Sequence, residues 1–99
     1  MTRVITKYPN RRMYDTAESR YITLSDIRNL VVDNTDLVVI DKKSGADITR
    51  FILLQVLSEQ EQNGEAMISQ DFLVQIIRRH KNVVPVVNEE TENSLTSGP

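Results

Sequence analysis

Residues 7–27 read KYPNRRMYDTAESRYITLSDI, and the arrangement of the chain turns on this stretch. It gathers three tyrosines (Tyr8, Tyr14, Tyr21) and four basic residues (Lys7, Arg11, Arg12, Arg20) around one tight turn. Pro9 sets φ near the value wanted at the second position of a β-turn, and Asn10 tolerates the third. Val4, Ile5 and Thr6 before the turn, and Met13 and Tyr14 after it, suit extended chain. A β-hairpin is therefore predicted, with Tyr8-Pro9-Asn10-Arg11 at its tip. Alternation along a strand would put Arg12 and Tyr14 on one face, and Arg11, Met13 and Asp15 on the other. Two adjacent guanidinium groups beside phenol rings suit the recognition of phosphate. The same residues suit a solvated turn whose arginines lie over apolar neighbours. Side-chain chemistry leaves both readings standing.

Downstream, Asp15 to Ser19 form a polar connection, and Arg20, Tyr21 and Ile22 resume an extended segment able to pair with the hairpin. Thr23 has the character of a helix N-cap, with Asp26 placed to reach back and with Ile22 and Ile27 as an apolar staple. Ile27, Leu30 and Val31 make an apolar stripe that ends at Asp33-Asn34. Leu37 to Ile40 is a short β-branched run read as a buried strand. Gly45 supplies positive φ in the turn that follows it. Thr49 repeats the capping logic, with Ile48 and Leu53 as staple. The helix after it carries Phe51, Ile52, Leu53, Leu54, Val56 and Leu57, too many apolar positions for a helix with one buried face. Either it is the central core helix or its second face is buried against another chain. A third helix is signalled by Ser69 as cap, Ile68 and Leu73 as staple, and Phe72, Leu73, Ile76, Ile77 and His80 at near-helical spacing. Arg78, Arg79 and Lys81 complement the dipole at its end. Periodicity is lost from Asn82. The run Val83-Val84-Pro85-Val86-Val87 has the composition of an edge strand, and Asn88 to Pro99 that of a disordered tail.

Ninety-nine residues without cysteine bound the answer to one small domain with appendages. Such a chain buries only about 60–65% of its unfolded surface, so oligomerisation would help it considerably. Disulfides and cysteine metal sites are excluded. The N-terminus has no signal-like apolar core and no run approaches the roughly 20 residues of a membrane span, so a soluble cytoplasmic protein is expected. Net charge is −2, but residues 1–50 hold nine Lys/Arg against seven acids and residues 51–99 hold three against seven. That asymmetry permits a basic face on the N-terminal half. Catalysis has little to stand on. His80 is the single histidine, on an apolar stripe where a core-edge histidine is ordinary, and three glycines make no phosphate loop. No enzyme activity, metal or cofactor is expected.

The runs KYPNRRMYDT, SRYITLSDI and VIDKKSGADITRFILLQVLSEQE, in that order, resemble the N-terminal domain of the polyhydroxyalkanoate synthesis repressors. The resemblance extends from about Thr6 to about Glu61, and residues 67–80 are more loosely similar to the start of that family's second module. It implies a DNA-binding transcriptional repressor of polyester storage with double-stranded DNA as partner. Its domains would be a DNA-binding domain at 1–64, a C-terminal helix at 65–82 and a flexible tail at 83–99. The motif positions single out Lys7, Tyr8, Asn10, Arg11, Arg12, Tyr14, Arg20 and Tyr21 as DNA contacts, with Lys42 and Lys43 extending the patch if their turn folds to the same side. Within that set Arg11 and Arg12 are assigned to nucleic acid, Lys7 and Arg20 to phosphate, and the tyrosines to support or stacking. The resemblance also implies binding to polyhydroxyalkanoate granules, for which Phe72, Leu73, Ile76 and Ile77 are the candidate polymer contacts. Packing of those four onto a core or a dimer is the other reading. The expected fold is α+β: an N-terminal hairpin and one or two further strands packed on two helices, then a third helix and a disordered tail. A homodimer through the over-apolar helix is expected. The alternative function is a non-enzymatic protein–protein or granule-surface adaptor, distinguished by weak salt dependence.

Overall fold

The computed structural model describes residues 1–64 and 66–81, and Met1–Glu65 and Ala66–Pro99 are separate units. In the first unit, RVITK alternates inward and outward residues as β1 (Arg3–Lys7), with Ile5 wholly buried. The turn at Pro9 and Asn10 returns the chain as β2 (Met13–Asp15), and a second turn leads to β3 (Arg20–Ile22). Helix α1 (Leu24–Val32) then carries the chain to the opposite edge, where β4 (Leu37–Asp41) joins the sheet. The strand order is β3-β2-β1-β4, with β2 antiparallel to both neighbours and β4 parallel to β1. Helix α2 (Thr49–Asn63) completes the unit, which is the α+β architecture expected, with two strands beyond the hairpin.

Register decides which residues meet the helices. Ile5, Met13, Ile22, Leu37 and Val39 share one sheet face and form the core with Ile27 of α1 and with Ile52 and Val56 of α2. Ile5, Ile27, Val39 and Ile52 retain no accessible surface, and burying each such side chain contributes about 1.5–3 kcal/mol. The other face carries Val4, Thr6, Tyr14, Tyr21, Val38 and Ile40, and neither helix of this unit covers it. The strand Leu37–Ile40 is therefore not buried on both sides. Leu37 and Val39 are buried, while Val38 and Ile40 are half-buried on the open face.

The termini of α1 follow from its sequence. Thr23 Oγ1 accepts from the Asp26 amide and Asp26 reaches back to the Thr23 amide, closing the expected capping box. At the other end Asn34 takes φ +61°, its amide bonds the Val31 carbonyl and the Thr35 amide bonds the Leu30 carbonyl. Val31 falls outside the expected stripe, exposed beside buried Ile27 and half-buried Leu30. The start of α2 departs further from expectation. Thr49 is its first residue, not its cap, because its hydroxyl is committed elsewhere. It accepts from the Val39 amide at 2.8 Å and donates to Asp47, stitching the helix to β4. Leu53 is exposed and makes no staple with Ile48, which packs on the core.

The α2 surplus of apolar residues is real. Ile52 and Val56 face the core, whereas Phe51, Leu53, Leu54 and Leu57 are exposed. In the second unit α3 (Gln70–His80) is capped by Ser69, whose hydroxyl accepts from the Phe72 amide, and Arg78, Arg79 and His80 occupy its last turn. His80 is exposed, not a core-edge group. The extended segment expected at Val83–Val87 and the disorder expected from Asn88 fall outside the described residues.

One polar group is buried among the core residues. Asp15 is 1% exposed, and its carboxylate takes a forked contact from Arg3: Nε at 3.2 and 3.1 Å and Nη2 at 3.0 Å. The amides of Ala17 and Glu18 donate to its Oδ1, at 2.9 and 3.4 Å. Burial pushes the Asp15 carboxyl up, but the Arg3 hydrogen bonds, the two amides and the Arg3 charge outweigh it and hold the carboxyl below its ordinary 3.8. A folded value below the unfolded one means that this stabilisation is complete above pH 3.8 and is lost as pH falls through the folded value. Asp15→Asn should cost about 1–3 kcal/mol at neutral pH by removing the buried carboxylate from its ion pair with Arg3, which keeps only the more exposed Glu18 at 3.1 Å. It should also flatten the acid limb of a urea-midpoint-against-pH curve. An unchanged acid limb would show that Asp15 does not couple protons to folding.

Candidate nucleic-acid interface

The hairpin tip is built by three hydrogen bonds. The Arg11 amide donates to the Tyr8 carbonyl at 2.9 Å, closing the expected turn, and the Tyr8 amide donates to the Arg12 carbonyl at 2.8 Å. The Asn10 side-chain oxygen accepts from the Arg12 amide at 3.0 Å. A three-residue loop of this form needs its last residue in the left-handed region, where glycine is usual. Here that residue is Arg11, at φ +72°. Strand alternation therefore does not reach it: Met13 and Asp15 share a face as expected, and that face is the core side, but Arg11 is exposed at the tip. A non-glycine residue held so costs about 1–2 kcal/mol. The signal for this was present in the spacing, since only three residues separate Tyr8 from Arg12.

Arg12 follows the expected face. Its guanidinium lies 5.4 Å from the centre of the Tyr21 ring, and Tyr21 meets Tyr14 edge to face with centroids 5.3 Å apart. Tyr14 and Tyr21 are direct cross-strand partners on the open face. Lys7 sits on the other face, its ammonium 5.7 Å from the Phe51 ring centre. Tyr8 is half-buried beside the turn.

Topology brings a second basic turn to the same end of the sheet. Because β4 runs parallel to β1, the chain leaves both strands in the same direction, with Lys7 paired to Asp41 and the Lys42 amide bonded to the Lys7 carbonyl. The turn Lys42–Ala46 is shaped by Ser44, whose hydroxyl and amide both donate to Asp41, and by Gly45 at φ +76° as expected. The Ser44 bonds lower the Asp41 carboxyl below its ordinary value, and the charges of Lys7 and Lys43 lower it further. Lys7, Arg11, Arg12, Lys42 and Lys43 are thus gathered at one end of the sheet.

Arg20 is not with them. It pairs across β2 with Asp15 at the far end, donates from Nε to Glu18 at 3.0 Å and approaches Asp26 at 4.0 Å. Its charge belongs to a network with Arg3, Asp15 and Glu18 whose key partner, Arg3, carries no motif by which the sequence could reveal it. The four candidate polymer contacts lie along α3, where Phe72, Leu73 and Ile77 are exposed and Ile76 is half-buried. Among the described residues no group of His, Asp and Glu has metal-binding geometry, and no helix is long and apolar enough to cross a membrane.

Residues 4–64 match the family model described as the PHB/PHA accumulation regulator DNA-binding domain. The chain is 58% identical over 76 residues to an uncharacterized protein in the phbA 5' region of Thiocystis violacea, a match covering 77% of this chain and 55% of the relative. It is 53% identical over 76 residues to an uncharacterized protein of Allochromatium vinosum, covering 77% of this chain and 50% of that one. The chain thus spans about half the length of the curated relatives it matches. No solved structure matches it significantly.

The left-handed tip gives a direct test of the hairpin geometry. Arg11→Gly should raise the unfolding free energy by about 1 kcal/mol, measured by urea denaturation, because glycine relieves the strain at φ +72°. A destabilised glycine variant would mean that the Arg11 side chain holds the tip together.

Proposed function

Because the chain belongs to the PHB/PHA accumulation regulator family through its DNA-binding domain, we propose that it is a DNA-binding transcriptional repressor of polyhydroxyalkanoate synthesis and of granule-associated proteins. It acts in the cytoplasm and without catalysis. The observation that carries the proposal is the gathering of Lys7 at the end of β1, Arg11 and Arg12 on the hairpin tip, and Lys42 and Lys43 on the turn after β4, all at one end of the sheet. The hairpin tip that joins β1 and β2 is two strands wide, a size that the major groove admits, with the turn cations on flanking phosphates. The strained arginine at the tip supports the same reading, since a residue costing stability at an exposed turn is retained most readily where its side chain is used. Arg20, engaged by Glu18 and Asp26, contributes to the fold more than to phosphate.

Arg11→Ala combined with Arg12→Ala should abolish specific binding to promoter DNA of polyester synthesis genes in a gel shift, with folding unchanged by circular dichroism. For every phosphate that the variant no longer neutralises, the plot of log affinity against log salt should flatten by about 0.9. Normal affinity and slope in the double variant would remove the hairpin from the interface.

The exposed apolar positions of α2 support a homodimer. Phe51, Leu54 and Leu57 are 54%, 50% and 40% exposed along one side of a helix whose other side is in the core. A twofold assembly through this side would cover them and offer two hairpins to a palindromic site. Leu54→Asp should convert the dimer to a folded monomer in analytical ultracentrifugation. Wild-type protein sedimenting as a monomer at micromolar concentration would refute the assembly.

A further inference from the structure

The two arginines at the tip are held differently. The Arg12 amide and carbonyl are both fixed, by Asn10 and Tyr8, and its guanidinium rests 5.4 Å from the Tyr21 ring centre. Tyr21 is itself set edge to face on Tyr14, 5.3 Å away with an interplanar angle of 78°. The stack runs diagonally across neighbouring strands on the open face. Arg11 has no such support: it is exposed, left-handed and without an ion-pair partner among the described residues.

A phosphate presents acceptor oxygens in many directions, so a guanidinium can fork onto it from many approaches and needs no single fixed plane. A base edge is different. Reading it takes two parallel hydrogen bonds at once, and an arginine already ordered loses less freedom in making them. We infer that Arg12 is the specificity-determining residue of the interface, that it selects a guanine through O6 and N7 in the major groove, and that Tyr21 is its positioning residue, with Arg11 left to the phosphate backbone. This inference rests on the DNA-binding reading above and divides the labour within it.

The experiment enriches duplexes from a randomised library with the 99-residue chain. Affinities are then measured for the enriched duplex and for a scrambled duplex of equal composition across a salt series. Arg12→Lys keeps the charge and should keep the salt slope, but should lower the ratio of enriched to scrambled affinity by about 5- to 150-fold. Tyr21→Leu should lower the ratio with an unchanged slope, and Tyr21→Phe, which keeps the ring, should restore it. Tyr21 is 53% exposed, so both variants are expected to fold. Arg11→Lys should leave the ratio intact. Replacing the selected guanine by 7-deazaguanine should weaken the wild-type protein more than it weakens Arg12→Lys. An unchanged ratio in Arg12→Lys overturns the inference while leaving DNA binding in place. Failure of the wild-type chain to enrich any duplex overturns the DNA-binding reading and this inference with it.

Discussion

The gathering of basic residues at one end of the sheet depends on β1 lying between an antiparallel and a parallel neighbour. The antiparallel pairing with β2 makes the hairpin tip, and the parallel pairing with β4 sends a second turn out beside it. If β4 ran the other way, Lys42 and Lys43 would leave at the end that holds Asp15 and Arg20, and the cations would be divided. The direction of β4 is in turn set by α1, which carries the chain from one edge of the sheet to the other and delivers it running with β1. A helix capped by Thr23 and ended by Asn34 is therefore part of how the basic residues come together.

The far end of the sheet is organised by charge compensation. Asp15 and Arg3 lie on the helix-facing side, where an unpaired carboxylate would cost several kcal/mol, and the forked contact with two added amides removes that cost. Thr16 adds a bond from its hydroxyl to the Val4 carbonyl at 2.7 Å, so Asp15 and Thr16 tie β1 to the turn that follows β2. In the run YDT, one residue thus serves the open face and two serve the scaffold. The ends of the hairpin are specialised: buried, paired charges at one, and at the other an excess of cations beside the single carboxylate of Asp41.

Much of this was legible in the sequence. The hairpin and its tip, the Thr23 and Ser69 caps, the Gly45 turn and the excess of apolar residues on α2 all follow from local chemistry: φ preferences, capping geometry and periodicity. The run KYPNRRMY carried the hairpin part of the candidate site as well, including the shared face of Arg12 and Tyr14. What stayed hidden is non-local. Nothing near Arg3 announces an ion pair twelve positions away, nothing near Leu37 says that its strand runs parallel to the first, and the hydroxyl of Thr49 resembles a cap because its partner on β4 is remote. The resemblance points Arg20 towards phosphate, and the fold sets it against Glu18 and Asp26. Arg11 escapes its expected face for a local reason: strand alternation does not hold through a bulge.

The central position of β1 also governs the order in which the molecule can be assembled. Arg3 pairs with Leu37, thirty-four positions along the chain, so the middle of the sheet waits on a contact that closes a long loop. On a ribosome the hairpin, β3 and α1 emerge first, and one edge of β1 stays unsatisfied until β4 arrives. During that interval the first strand is an open template for any other extended segment, a hazard that ends when residues 37–41 close over it.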